Sequence, residues 1–232
     1  MLTAKEILQA ALHLFFPHTC AGCGAALHGG SGEICLHCLA ALPATGFENN
    51  SDNAAAQLFF GRLPVDAATA CYFFNRASRM QELVHALKYG GNRPLGVQLG
   101  RLMGELLLTN SKWKADLLVP LPLHARKERK RGYNQATLLC EGISIVTGIP
   151  VAHQLVIRSQ YTDSQTRKGR IERWQNMEGK FRVPDPAAVQ GKRLLLVDDV
   201  ITTGATLEAC GAALLEASPA SLQIACLCIA SE

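Results

Sequence analysis

The sequence predicts an α/β protein: a parallel β-sheet with helices on both faces, preceded by a small zinc-binding unit built on four cysteines. Three observations predict it. Short apolar runs alternate with stretches of helical period along most of the chain. Two Cys-x-x-Cys pairs stand close together near the N-terminus, in a Gly-rich segment with too little apolar surface to fold unaided. One apolar run, Leu194 to Val197, ends in two aspartates and a loop of small and hydroxylated residues. That is how a buried strand delivers polar side chains to a ligand.

Taken in order, Leu2 to Phe16 carries apolar residues at Ile7, Leu8, Ala11, Leu12, Phe15 and Phe16, the stripe of a short amphipathic helix that Pro17 ends. This helix should dock on the unit that follows, Cys20-Ala21-Gly22-Cys23 and, eleven residues on, Cys35-Leu36-His37-Cys38. Two thiolate pairs at that separation can close a tetrahedral zinc site. With Cys20, Cys23, Cys35 and Cys38 as ligands the shell is full, so the zinc is structural. His18, His28 and His37 could replace a ligand but are more simply neighbours, and a redox role for either pair is the rival reading. Ala44 to Asn53 turns polar and Asn-rich, which reads as a linker or flexible loop. It divides the chain into residues 1–50, the helix and zinc unit, and 51–232, the α/β domain.

Within that domain Thr69 to Phe74 reads as a strand, Met80 to Lys88 as a helix, and Leu95 to Leu108 as a second helix after Gly90 and Gly91. Asp116 to Leu121 is a strand, followed by Pro122 and a basic loop; Ala136 to Val146 is helical and Val151 to Ile157 is another strand. Beyond a long polar stretch come Lys180 to Val183, the strand Arg193 to Val197, a helix from Thr206 to Glu216 and a last strand from Leu222 to Ile229.

With 232 residues and 48% hydrophobic content, the chain can bury one core and a small accessory unit. No run approaches the ~18 consecutive apolar residues of a membrane span. The first residues carry Lys5 and Glu6, then Pro17 and cysteines where a cleavage site would fall. Membrane insertion is therefore not expected, and the expected location is cytoplasmic. Nine cysteines, an odd count with four in paired spacing, favour reduced thiols and a metal over disulfides. Cys71, Cys140, Cys210, Cys226 and Cys228 lie in apolar surroundings and read as core filler. The net charge of +4 is modest, but twelve of the 23 Lys and Arg fall between Arg126 and Arg182, against five acids. An acidic ligand is implied, polyphosphate or nucleic acid, with a solvated basic loop as the plain alternative.

The loop after Val197 has the chemistry of a sugar-phosphate site. Backbone N–H groups from Thr203 to Thr206 can point at a phosphate, because Gly204 and Ala205 leave room for it and the helix N-terminus adds favourable partial charge. Hydroxyls of Thr202, Thr203 and Thr206 can donate to the same oxygens, while Asp198 and Asp199 can accept from vicinal hydroxyls. The group described is a ribose 5-phosphate. The basic stretch Pro120 to Gln135 follows a strand and so falls on the same sheet edge. Its Arg126 and Arg131 can grip phosphate oxygens, and Asn134 and Gln135 can add neutral donors. Ser159 to Gly179 is long and polar; Gln165, Arg170, Arg173 and Asn176 in it, with Arg158 at its base, could close as a hood that excludes water.

The segment Leu194 to Thr206 resembles the 5-phosphoribosyl-1-pyrophosphate (PRPP) motif of type I phosphoribosyltransferases. Together with Arg131-Gly132-Tyr133-Asn134-Gln135, Lys88-Tyr89 and the two Cys pairs, nearly the whole chain resembles the ComF family, which includes the GntX proteins. The resemblance implies a type I phosphoribosyltransferase fold and PRPP bound with magnesium. It implies that Asp198 and Asp199 are the catalytic carboxylates holding the ribose, that Thr202, Thr203, Gly204, Ala205 and Thr206 hold the 5-phosphate, and that Arg126 and Arg131 meet pyrophosphate. It also implies a part in natural transformation, the uptake and processing of single-stranded DNA. Many relatives carry a further Cys pair after the first four; residues 39–70 hold none, so a second metal is not expected. Two functions follow: a phosphoribosyltransferase with an unnamed acceptor, or a non-catalytic adaptor. The adaptor would sense PRPP and contact single-stranded DNA or DNA-processing proteins, with Tyr133, Tyr161 and Trp174 as stacking rings.

Overall fold

Four parallel strands in the order β1-β6-β5-β2 form the frame. The computed structural model describes residues 18–27, 32–76, 78–158 and 181–230. The sheet strands are β1 (Ala67–Phe74), β2 (Leu117–Pro120), β5 (Arg193–Ile201) and β6 (Ser221–Ala230), while β3 (Ile157–Arg158) and β4 (Phe181–Arg182) make a separate antiparallel ribbon. The helices are α1 (Leu36–Ala40), α2 (Ala54–Gln57), α3 (Arg79–Tyr89), α4 (Arg93–Leu108), α5 (Ala125–Arg131), α6 (Gln135–Thr147) and α7 (Ala205–Leu215). No helix among the described residues is long and apolar enough to cross a membrane.

Both faces of the sheet are covered, which is why β6 is buried from Leu222 to Ile229 and carries no alternating polar residues except Gln223. On one face α3, α4 and α6 bring Met80, Leu83, Leu87, Leu95, Leu99, Met103, Leu139 and Ile143 against Leu195, Val197 and Leu227. The other face is closed by α7 and by the segment from α2 to Leu63, through Phe59, Leu63, Leu207 and Leu214. The helices begin where the sequence offers caps: Ser78 accepts from the Gln81 N–H, Asn92 from Leu95 and Asn134 from Ala136. α4 and α6 meet glycine to glycine. A methyl group on Gly100 would overlap the Leu139 carbonyl, and one on Gly142 would overlap that of Val97, so the two backbones approach closer than any larger residue allows.

The predicted strands and helices recur with shifted ends, and four segments differ in kind. Ala44 to Asn53, read as a linker, is bonded to β1. Ala44 bridges Tyr72, the Thr45 hydroxyl donates to the Ala70 carbonyl at 2.5 Å, and the Asn53 amide donates to the Ala68 carbonyl at 2.9 Å. Trp113 Nε1–H reaches the Glu48 carbonyl at 3.0 Å. The expected strand Val151 to Ile157 is a single parallel bridge from Val151 to Leu118, followed by turns and the two residues of β3. Part of the basic loop is helical, as α5, and β5 runs on to Ile201, so the two aspartates belong to the strand. The expected helix over Leu2 to Phe16 lies outside the described residues, as does His28.

Candidate functional site

β5 is an interior strand, and its two neighbours leave it at different points. Pairing with β2 ends at Pro120 opposite Val197, whereas pairing with β6 continues through Asp198 opposite Cys226. The aspartates therefore emerge where one flank of the strand has just opened, at the carboxyl edge of the sheet, the place where open α/β sheets bind ligands.

The pleat sends the two carboxylates to different neighbours. Asp199 is buried and pairs with Lys88 of α3, Nζ to Oδ1 at 3.1 Å. Asp198 is half-buried, and its Oδ1 accepts the backbone N–H of Asp199 at 2.8 Å. Burial and the adjacent Asp199 carboxylate raise Asp198 above the usual carboxylate range, against the pull of that N–H, Lys88 and Arg131. The charge of Asp198 in turn helps raise the thiols of Cys210 in α7 and Cys226 in β6, beyond the larger effect of their own burial.

After Ile201 the chain turns through exposed Thr202 and Thr203 to Gly204, whose φ of 73° is the left-handed conformation glycine adopts most easily. Gly204 is also packed, since an added Cβ would lie 3.2 Å from the Phe59 ring. α7 starts at Ala205 with no side chain capping its first turn, and Thr206 is exposed there. An uncapped helix N-terminus beside two threonines offers N–H and hydroxyl donors to an anion. Arg62 braces this loop by donating to the Thr203 carbonyl at 3.3 Å and pairing with Glu208. Sequence reasoning passed over the 58–63 turn, in which an apolar Leu58-Phe59 pair before Gly61 was the available signal.

Of the two predicted arginines, Arg131 is at this edge and half-buried; its Nη1 donates to Gln135 Oε1 at 2.7 Å and its guanidinium lies 5.5 Å from the Tyr89 ring centroid. Arg126 is exposed on α5. Asn134 caps α6 and donates to the Leu121 carbonyl at 2.9 Å, so its amide is engaged, while Gln135 is buried with its Oε1 accepting from Arg131 and its Nε2 donor without a partner among the described residues. Tyr133 is buried too, its hydroxyl donating to the Leu87 carbonyl at 2.7 Å, which removes it as a stacking ring. Arg158 lies 5.4 Å from the Phe181 ring centroid across the β3–β4 ribbon, and its charge acts on Cys210. Gln165, Arg170, Arg173, Asn176, Tyr161 and Trp174 fall outside the described residues. Lys88, quoted from the sequence only as part of a resemblance, is the residue that the structure adds to this edge through its pair with Asp199. Nothing local marks a lysine in the last turn of a helix, where cations are common anyway.

The four cysteines form a second centre. The Sγ atoms of Cys20, Cys23, Cys35 and Cys38 all lie within 4.8 Å of one another, the only such group of three or more ligating side chains among the described residues. Zinc bonded to sulfur at ~2.3 Å in a tetrahedron separates its ligands by ~3.8 Å, so the cluster fits the ion. Burial alone would raise Cys20, yet backbone N–H groups of Cys35, Gly22 and Cys23 outweigh it and lower the thiol to about 6. Cys38 is raised instead, by burial and by the neighbouring thiols. Gly22 leaves the hook tightly packed, since a Cβ there would lie 3.1 Å from Cys38 Sγ. The unit is tied to the sheet domain: Cys20, Ile34 and Cys38 share a core with Leu83, Arg79 donates to the Gly22 carbonyl at 3.2 Å, and Asn92 donates to Glu33 at 2.7 Å.

A parallel sheet whose interior strand ends in paired aspartates and a Thr/Gly loop before an uncapped helix defines the phosphoribosyltransferase fold, and the phosphoribosyl transferase domain family matches residues 132–232. Among curated proteins the chain is 32% identical over 156 residues to the DNA utilization protein YhgH of Escherichia coli, covering 66% of this chain and 68% of that one. It is 33% identical over 150 residues to the protein of the same name from Salmonella typhi, covering 63% of this chain and 65% of the relative's length. The competence protein ComFC of Bacillus subtilis is 32% identical over 145 residues, 61% of this chain and 56% of that protein. The chain belongs to the ComF family of phosphoribosyltransferase-fold proteins.

Proposed function

We propose that the chain binds PRPP, or a related phosphoribosyl compound, at the carboxyl end of β5, and that it serves natural competence and the use of incoming DNA. The observation that carries the ligand is the sequence of groups along one edge. Donors at Thr202, Thr203, Gly204, Ala205 and Thr206 suit a 5-phosphate, Asp198 and Asp199 suit ribose hydroxyls, and Arg131 suits a second anionic group. Arg126 would add its charge from α5. Magnesium bound with the ligand would lie near Asp198 and Asp199 and would supply charge neutralisation there. Such a site supports transfer of the phosphoribosyl group to a nitrogen nucleophile, with the anomeric carbon–oxygen bond to pyrophosphate breaking as the carbon–nitrogen bond forms. Arg131 would stabilise the charge that develops on the leaving group. Zinc held by the four cysteines would be structural, and its thiolates suit a reducing, cytoplasmic setting.

The biological part of the proposal comes from the relatives named for competence and DNA utilization. The test of the site is calorimetric titration of zinc-loaded protein with PRPP and Mg²⁺, beside the Asp198→Asn, Asp199→Asn double variant. Micromolar binding that disappears in the variant is the expected result; no binding by folded wild-type protein overturns the reading. A second reading, an adaptor that contacts single-stranded DNA, is favoured by one observation: Arg126, Lys127, Arg129 and Lys130 are all exposed on α5. Single-stranded DNA binding that survives neutralisation of those four eliminates α5 as its contact.

A further inference from the structure

We propose that Lys88 is a further binding residue of this site, the cation that receives the pyrophosphate of the ligand beside Asp199; the assignment deepens the phosphoribosyl reading above and rests on it. Lys88 is placed by parts of the fold that have nothing else to do with the ligand. Leu83 and Leu87 fix α3 in the core, and the buried Tyr133 hydroxyl bonds the Leu87 carbonyl at 2.7 Å, which ties the last turn of α3 to the junction of α5 and α6. The ammonium then lies 3.1 Å from Asp199 Oδ1, with the two side chains only 22% and 11% exposed.

An ion pair this buried is a poor device for stability, because taking both charges out of water costs about as much as their attraction returns. At the ligand edge of a sheet it has a better use. An ammonium has three donors. One goes to Asp199, and among the described residues Nζ has no other partner. Asp199 offsets the ammonium's charge in this half-buried place, and the remaining donors are available to an anion.

The second cation comes from a different segment. Arg131 lies over the ring of Tyr89, the residue next to Lys88, and the charges of both Lys88 and Arg131 act on Asp198. Lysine and arginine therefore converge on one corner. That corner is on the α3 side of β5, away from the loop at Gly204, which is packed against Leu58 and Phe59 on the α7 side. A ligand with one phosphate in the Thr202–Thr206 loop would present its other anionic group to Lys88 and Arg131, and a sugar carrying phosphate at one end and pyrophosphate at the other has that shape.

Calorimetry with two probes separates this assignment from the reading beneath it. Inorganic pyrophosphate tests Lys88; ribose 5-phosphate tests the loop and the aspartates. Lys88→Met should weaken pyrophosphate binding about tenfold or more, the usual cost of losing a charge-assisted hydrogen bond, and leave ribose 5-phosphate within about twofold. Lys88→Arg, which keeps the charge, should recover most of the pyrophosphate affinity and serves as the second variant should the methionine protein fold poorly. Equal weakening of both probes would make Lys88 a structural residue and overturn the proposal, as would unchanged pyrophosphate affinity or none in the wild type. Failure of ribose 5-phosphate to bind wild-type protein would instead overturn the phosphoribosyl reading, whatever the pyrophosphate result.

Discussion

Replacing Tyr133 with phenylalanine isolates the bond on which the position of Lys88 depends. The ring stays buried and Arg93 keeps its place 5.5 Å from the ring centroid, so packing is conserved and only the hydroxyl is lost. That hydroxyl makes a 2.7 Å bond to the Leu87 carbonyl in a buried setting. Removing the donor forfeits a net ~1 kcal/mol and leaves a carbonyl less well satisfied, so the whole cost should be about 1–2 kcal/mol. In a domain of this size each kcal/mol moves Tm by about 2–4 °C, which places the variant about 2–8 °C below wild type. Urea denaturation should show the same loss as a lower midpoint at unchanged slope. Pyrophosphate affinity should fall with it, because the last turn of α3 is freed. A Tyr133→Phe protein as stable as wild type would refute the bond.

Asp198 gives stability a pH dependence. Its carboxyl is pushed from 3.8 to about 8 by burial and by Asp199, so the folded state holds a proton that the unfolded chain releases. The contribution is complete below the ordinary aspartate value and is lost as pH rises through about 8. Asp198→Asn should flatten that decline, read as Tm at pH 5, 7 and 9; an equal slope in the variant would place the proton elsewhere. The cysteine cluster should bind one zinc per chain under reducing conditions. Stripping it with a chelator, or Cys38→Ser, should loosen α3, since Cys20, Ile34 and Cys38 pack into the core around Leu83. Protein that carries no zinc when purified with thiols reduced would remove that assignment.

What the sequence disclosed, it disclosed through local chemistry. Leu194 to Thr206 was readable because a buried strand, two carboxylates and a Thr/Gly loop are consecutive, and the cysteine pairs were readable because metal geometry constrains their spacing. The misread segments depend on distant partners. Ala44 to Asn53 has the composition of a linker, yet its Thr and Asn side chains bond to carbonyls of β1, and composition carries no record of that. Val151 to Ile157 has the residues of a strand but meets β2 only at Val151. Tyr133 looked like an exposed ring at a helix start and is a buried tether. Lys88 becomes visible only when α3 is laid against β5.

The departure of β2 accounts for the unequal surroundings of the two carboxylates. Were β2 to continue past Pro120, a neighbouring strand would flank Asp198 and no crevice would form. Because it leaves, Asp198 is bounded on one side by β6 and open on the other, while Asp199 would be open too but for Lys88. One carboxylate is thus kept near neutral by burial and the other is offset by an ammonium, which leaves the edge without the strong negative potential that would repel a polyanionic ligand. With Arg131 half-buried nearby and the α7 N-terminus uncapped, the local balance favours anions although the most conspicuous residues are acidic. Paired aspartates can serve an anion site on this condition only. The cations that offset them come from α3 and from the end of α5, segments far from the aspartates in sequence, so the sign of the site is a property of the fold and not of the motif.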